Sequence, residues 1–403
     1  LLWLGQIISQ LGDRLDQMAL IGLVNLRMPG STLAIAKILS FTIIPVFLIG
    51  PIAGVYVDRW DRRRLMYVCD FLRALLVLTI PLFLFYRESF AFIYLVIFVV
   101  FSIGRFFVPA KLAIVPDLVK KEDLLMANSL VNTTGMIAAI LGFGISGLLV
   151  EWLGAKSAFY LDALSFLFSG TLIFMIAKKS AASMSLRKVS RGIVEVIKKS
   201  VFQEIKEGVL YFIRKKEIRF TAGIIFVLWS ALGAVYVVLI VFVQEQLQSV
   251  TKDLGLLIMF LGTGLFIGSL IYGRFGQRLS HYKVIFSSLI LSGIMLVIFS
   301  LCISRYHSFS IAAVLSLALG LLIAPIMIAS NTIIHKVSDN EMMGKIFSSL
   351  EIVMHLGFLL FMFISSILAD KFSNVYTLVV VGCIFTVVGI VDLIYHRKLP
   401  WLD

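Results

Sequence analysis

The feature that most constrains this chain is repetition. Stretch after stretch of about twenty residues carries almost no charge, with short polar breaks between them. An apolar run of that length spans the ~30 Å hydrocarbon core of a bilayer as an α-helix, because a helix satisfies its own backbone hydrogen bonds where no water is available. Twelve such spans can be laid on the sequence, roughly at 1–25, 33–57, 64–86, 90–113, 126–150, 156–177, 219–244, 254–274, 283–303, 309–334, 343–369 and 373–395. Hydrophobic residues make up 60% of the 403 and charged ones only 15%, too few to cover a soluble domain of this size. The sequence predicts an all-α polytopic membrane protein.

The net charge of +13 is distributed by side rather than gathered in a patch. If the odd-to-even connections lie outside, the inner connections, the span ends that border them and the tail hold 25 of the 36 Lys and Arg, and the outer loops with their bordering span ends hold six: Arg27, Arg87, Lys156, Lys252, Arg305 and Lys371. That asymmetry follows the positive-inside rule and predicts both termini in the cytoplasm. The basic residues thus set topology, and no nucleic-acid partner is expected. The first span opens at Leu1 without an initiator Met and lacks the short core and cleavage site of a signal peptide, so it is expected to be a retained helix preceded by a short further piece.

The longest polar stretch follows span six and divides the chain into 1–177, a linker at 178–218, and 219–403. Within the linker, Val194, Ile197, Val201, Ile205 and Phe212 share one helical face and charged residues occupy the rest, the pattern of an amphipathic helix on the membrane surface or of a plain connector. Two six-span halves invite a search for a repeat. "GVYVDRWDRRR" (54–64) follows span two, and "GSLIYGRFGQRLSHYK" (268–283) follows span eight with Gly268, Arg274, Gly276 and Arg278 in register but no acid near Tyr272 to match Asp58.

Twelve spans, a long central loop and G-x-x-x-D-R-x-D-R-R between spans two and three resemble the major facilitator superfamily over essentially the whole chain. "GQIISQLGD" (5–13), "VPAKLAIVPDLVKKEDLLMANSL" (108–130) and "AFYLDALSFLFSG" (158–170) resemble its efflux branch, the macrolide and siderophore exporters. "PAK" (109–111) and "ANSLVNTTGMIAAILG" (127–142) are also similar to bacterial lysophospholipid transporters. Span five departs from the antiporter signature, with "GFGISG" (142–147) placing Phe143 where that signature has Pro. The resemblance implies two pseudo-symmetric six-helix bundles around a central cavity. In the loop motif, Gly54 permits close helix approach, Asp58 can meet a helix N-terminus or an Arg, and Arg59, Asp61, Arg62, Arg63 and Arg64 add donors and topogenic charge. A breakable cytoplasmic latch is the expectation.

Span one holds Asp13, Arg14 and Asp16 within four positions, although a charge at the bilayer centre costs about 2.5–3.5 kcal/mol on insertion scales. Gln6, Gln10, Asp13 and Gln17 recur on one helical face, with Gly5, Ser9, Gly12 and Asp16 on the adjacent stripe. Such a helix lines protein or water. Asp13 can titrate a proton, meet a polar group of a substrate, or form a structural ion pair with Lys37, Arg73, Arg105 or Lys111. The candidate cavity and ion-coupling residues are Gln10, Asp13, Asp16, Gln17, Arg105 and Lys111, with Glu351 and His355 in span eleven. The last two stand one turn apart, as a proton-handling pair or as mutually satisfied packing partners.

Gly142, Gly144 and Gly147 in span five and Gly262, Gly264 and Gly268 in span eight suit close helix packing. Cys69, Cys302 and Cys383 have no paired spacing and read as small packing residues. No G-x-x-x-x-G-K-[ST] is present, since Gly344-Lys345 precedes Ile346, which disfavours an ATP-driven pump. No His is followed by Asp at the H-x-x-x-x-D spacing of an acyltransferase, no metal cluster or nucleophile–base pair stands out, and the longest inner segment is short for a sensor. The expectation is therefore a secondary transporter of an amphipathic or lipid-like small molecule, moving it outward by alternating access, with a lysophospholipid flippase as the alternative and a membrane sensor or enzyme as a remote one. No cofactor and no metal is expected. Membrane lipids, and protons or another coupling ion, are the expected partners of a monomer.

Overall fold

A computed structural model describes residues 1–57, 60–86, 90–176, 216–276, 279–337 and 343–396. The amphipathic stretch predicted at 193–216 falls almost wholly outside these residues, as do Asp58 and Arg59. Ten of the described helices are long and apolar enough to cross a membrane. One of them, Leu124–Phe174, is two spans in register, broken at Gly154, whose φ of 81° and ψ of 157° no helix tolerates and few side chains would adopt. Leu2–Arg27 is the remaining span. It misses the apolar criterion because of the three charges that distinguish it.

The helices are α1 (Leu2–Arg27), α2 (Thr32–Val57), α3 (Arg62–Tyr86) and α4 (Phe90–Leu118). Those parts of Leu124–Phe174 before and after Gly154 are α5 and α6. They are followed by α7 (Lys216–Leu247), α8 (Lys252–Phe275), α9 (His281–Tyr306), α10 (Phe309–Val337), α11 (Met343–Lys371) and α12 (Asn374–His396). Pro81, Pro109, Pro116 and Pro325 lie inside helices, as membrane spans allow when neighbours satisfy the freed carbonyls.

The chain forms two compact units, one of residues 1–23 and 37–206, the other of 24–36 and 207–403. In the first, Met66, Cys69, Phe107, Ala110, Ile114 and Ile173 form an apolar core. In the second, Tyr272, Tyr282, Ile285, Phe286, Ile326 and Ala329 do so. α8 and α10 cross backbone to backbone: a Cβ on Gly264 would collide with the Leu317 carbonyl, and one on Gly320 with the Leu261 carbonyl. Gly264 belongs to the predicted packing set, whereas its counterpart Gly320 has no flanking pattern to announce it.

The start of α2 is secured within the second unit. Ser31 Oγ accepts from the Ala34 amide at 3.2 Å, and Asp370 of α11 accepts from the Thr32 and Leu33 amides at 2.9 and 3.3 Å. The Thr32 hydroxyl also donates to Asp370 and to the Ser366 carbonyl. Three amides that a helix N-terminus leaves without partners are thereby satisfied, and a carboxylate sits at the positive end of the helix dipole.

Candidate functional site

The two stripes predicted on α1 meet different neighbours. The Gly5, Ser9, Gly12, Asp16 stripe packs on α6: a Cβ on Gly5 would come 3.3 Å from Ser169 Oγ, and one on Gly12 would collide with the Ser165 hydroxyl and the Asp162 carboxylate. Gln6, Gln10, Asp13, Arg14 and Gln17 instead line a cavity of about 170 Å³ with Arg73, Arg105, Lys111, Phe107 and Phe166, and Asp16 reaches its wall. Small residues bring the helices together, and the long polar ones keep a space open.

Arg73 of α3 organises this cavity. Its Nη2 donates to Asp70 Oδ1 at 2.6 Å and its Nη1 to Asp13 Oδ1 at 3.3 Å. The guanidinium lies over the Phe166 and Phe107 rings, 4.1 and 5.0 Å from their centroids. Ser169 Oγ donates to the other Asp70 oxygen at 2.7 Å. A planar fork that takes two carboxylates while stacking between aromatic faces is a task for Arg that Lys cannot perform. Of the partners offered for Asp13, the structure selects Arg73, and leaves the Asp13 side chain 42% exposed while Arg73 is 6% exposed and Asp70 fully buried. Lys37, another partner considered, is exposed on α2.

Arg14 turns towards α5. It donates to Gln17 Oε1 at 3.2 Å, and its guanidinium lies 4.8 Å from the Phe143 centroid. Phe143 is the residue that replaces the Pro of the antiporter signature, so the departure supplies a cation–π floor for a membrane-embedded arginine. A second cavity of about 390 Å³ shares Gln6, Gln10 and Lys111 with the first but is otherwise mostly apolar, walled by Leu2, Trp3, Val115, Leu130 and Val131. Trp3 Nε1 donates to Thr134 Oγ1 at 2.8 Å and ties α1 to α5 across it. The second unit has its own cavity of about 250 Å³, lined by Trp229, Leu232, Leu296, Ile323 and Met354 with Ser292, Ser330 and Asn331 as its few polar groups.

The span-eleven pair is assembled differently from the carboxylate–imidazole contact anticipated. His355 Nδ1 donates to the backbone carbonyl of Glu351 at 2.7 Å, and its ring packs on Trp229 at 5.4 Å, while Glu351 is exposed. One turn of spacing brings a side chain to the i−4 carbonyl as readily as to the i−4 side chain, and the aromatic neighbour fixes the former.

At the loop motif, Gly54 lies in the last turns of α2. Asp61 Oδ1 accepts from the Arg64 amide at 2.9 Å and caps α3. Arg62 donates to the Ala113 carbonyl at 2.8 Å and pairs with Asp117 at 3.1 Å. Arg63 donates to the Ile173 and Phe174 carbonyls. The arginines thus satisfy the C-terminal ends of α4 and α6 inside one unit, a packing role beside their topogenic one. At the corresponding place in the second half, the Tyr272 hydroxyl shares a 2.8 Å hydrogen bond with His281 Nδ1.

Two carboxylates that the periodicity of α1 does not point to, Asp70 and Asp162, complete the cluster. Asp70 stands three positions before Arg73 in "CDFLRALL" (69–76), the spacing of an i,i+3 pair, and Asp162 is the one charge in "YLDALSFLF" (160–168); an acid in such a span is itself the signal for a functional or paired group.

Twelve long helices, most of them apolar, with charged groups held inside one unit are the architecture of a polytopic membrane protein among the described residues. The chain matches, over residues 1–396, the family described as transmembrane secretion effectors, and it belongs to that family of the major facilitator superfamily (MFS). It is 25% identical to the Bacillus subtilis protein described as uncharacterized MFS-type transporter YkuC, across 86% of this chain and 79% of that one. It is 23% identical to macrolide efflux protein A of Streptococcus pyogenes, across 97% and 94% of the two chains. Its fold matches nucleoside transporter NupG with a TM-score of 0.75 at 10% identity, covering 98% of this chain and 97% of NupG. A bacterial homologue of the iron transporter ferroportin, in its inward-facing state, matches at 0.71 and 15% identity, each chain 97% covered.

Proposed function

We propose that this protein is a secondary exporter that moves an amphipathic, partly apolar small molecule out of the cell by alternating access, from a bacterial inner membrane with both termini cytoplasmic. The observation that carries the reading is the cavity of the first unit, where Asp13, Arg14, Arg105 and Lys111 stand among glutamines at membrane depth. Charges there are costly and persist where a pathway or a partner uses them. The mostly apolar cavity of the second unit supplies the other kind of surface that an amphipath needs. Similarity to macrolide efflux protein A supports the outward direction and a bulky, weakly polar cargo.

A lysophospholipid is the second reading, favoured by the apolar cavity between α1, α4 and α5 that ends on Lys111. An acyl chain along Trp3, Leu130 and Val131 would leave an acidic headgroup beside the ammonium. Expression in an efflux-deficient bacterium separates the two. Export of macrolides predicts at least a several-fold rise in the inhibitory concentration and lower accumulation of labelled macrolide. Lysophospholipid movement predicts unchanged resistance but faster transfer of labelled lysophospholipid across the membranes of inverted vesicles. Neither effect, in cells where the protein is in the membrane, would refute both readings.

A further inference from the structure

Asp16 and Asp162 are the most deeply buried acids that the ion pairs around Arg73 leave aside. Asp162 is fully buried on α6 and Asp16 is 4% exposed on α1. Gly12, one turn before Asp16 on the same face, is in contact with Asp162, and α1 and α6 run antiparallel there, Gly5 facing Ser169 and Gly12 facing Ser165. That register brings the Asp16 carboxyl alongside Asp162, near enough for the Asp16 charge to act on it. Asp162 Oδ1 accepts from Ser165 Oγ at 3.3 Å, but Asp162 Oδ2 and Asp16 Oδ1 are buried with no hydrogen-bond partner among the described residues.

The charged groups of the surrounding helices do not fill those two positions. On α3, the terminal nitrogens of Arg73 go to Asp70 and Asp13. On α1, Arg14 turns to Gln17 and Phe143. On α4, Arg105 and Lys111 line the cavity, and no bond from either reaches the two unpartnered oxygens. Arg73 is near enough for its charge to act on both carboxylates but bonds neither, and Asp13 adds a further negative charge, so ionising both in a low-dielectric interior is strongly disfavoured. A hard metal cation takes about six oxygen ligands, whereas this site offers two carboxyls and one hydroxyl between helices whose carbonyls are already bonded. A single proton needs only two oxygens, one as donor and one as acceptor.

We propose that Asp16 and Asp162 share one exchangeable proton between α1 and α6, and that Asp16, which reaches the cavity wall, is where the proton enters and leaves. The proton is a transported ion, taken up from the cavity and returned to it. Its role as driving ion rests on the exporter reading, but the site does not, and it is read without any substrate.

The test is an infrared pH titration of the purified protein in lipid, following the stretch of protonated carboxyl groups between about pH 5 and 9 in sodium-free buffer. The expected result is a protonated-carboxyl band that disappears on alkalinisation, that is lost in both Asp16→Asn and Asp162→Asn, and that remains in Asp123→Asn, an exposed acid far from the pair. Sodium chloride should leave the wild-type band in place. No pH-sensitive band in the wild-type protein would overturn the proposal, as would its survival in both Asn variants. Displacement of the band by sodium would also overturn it, making the site one for a metal cation. The wild-type arms decide the matter if an Asn variant fails to fold. Absence of macrolide or lysophospholipid movement leaves these spectra unaffected, so the two readings fail separately.

Discussion

At the residue scale, the first unit is governed by one guanidinium. Arg73 neutralises Asp70, holds Asp13 and stacks on two phenylalanines, so its removal leaves a buried carboxylate without a cation. Breaking such a pair from one side typically costs about 3–5 kcal/mol, whereas replacing both partners with apolar groups is far cheaper. Arg73→Met should therefore lower the melting temperature sharply, and Arg73→Met combined with Asp70→Leu should recover most of it. Thermal unfolding in detergent checks this, and equal losses for the single and double variants would show that Asp70 does not depend on Arg73. The polar face of α1 was legible in the sequence because side-chain periodicity is a local property. Its two stripes were legible as well; what was not legible is which neighbour each meets, since only α6 buries the Asp16 stripe and leaves Asp13 on the cavity. Nor does local sequence show that Asp162, in a span 150 residues away, lies against Gly12.

At the scale of elements, the helices follow from apolar length, and the ends follow from capping chemistry that spans the fold. Asp370 lies 338 positions from the Thr32 amide it receives. No sequence pattern near residue 32 calls for it. Asp370→Ala withdraws the acceptor from two amides at the start of α2, one of them on a fully buried residue, and should destabilise the protein by about 1–2 kcal/mol. Asp370→Asn, which keeps one acceptor oxygen, should lose less. Melting temperatures ordered wild type, Asn, Ala would agree with this; an unshifted Ala variant would mean that solvent replaces the cap. The span-eleven pair teaches the complementary lesson. The spacing of Glu351 and His355 is compatible with a side-chain contact, yet the Trp229 ring and the helix carbonyl determine where the imidazole goes.

At the scale of the molecule, two units of like architecture have unlike interiors. The first surrounds its cavity with carboxylates, arginines, a lysine and glutamines. The second surrounds its own with aliphatic and aromatic side chains and three small polar groups. The loop repeat shows the same divergence, with acids and arginines in the first half and a Tyr272–His281 hydrogen bond in the second. This asymmetry is what an exporter of amphipaths is expected to have, because charge recognition and apolar accommodation can then be altered independently. Asp13 keeps a partly open carboxylate on the cavity while Arg73 has Asp70 as a second partner. The most direct measurement is substrate flux in proteoliposomes, with labelled macrolide and lysophospholipid, comparing the wild-type protein with Asp13→Asn. Flux of one of the two substrates is expected in the wild type. A direct role for Asp13 in transport predicts at least a tenfold loss in Asp13→Asn with a melting temperature little changed, and no recovery when Arg73→Met and Asp70→Leu are added together. Full flux in Asp13→Asn, or recovery in the triple variant, would contradict that role and reduce Asp13 to a structural partner of Arg73.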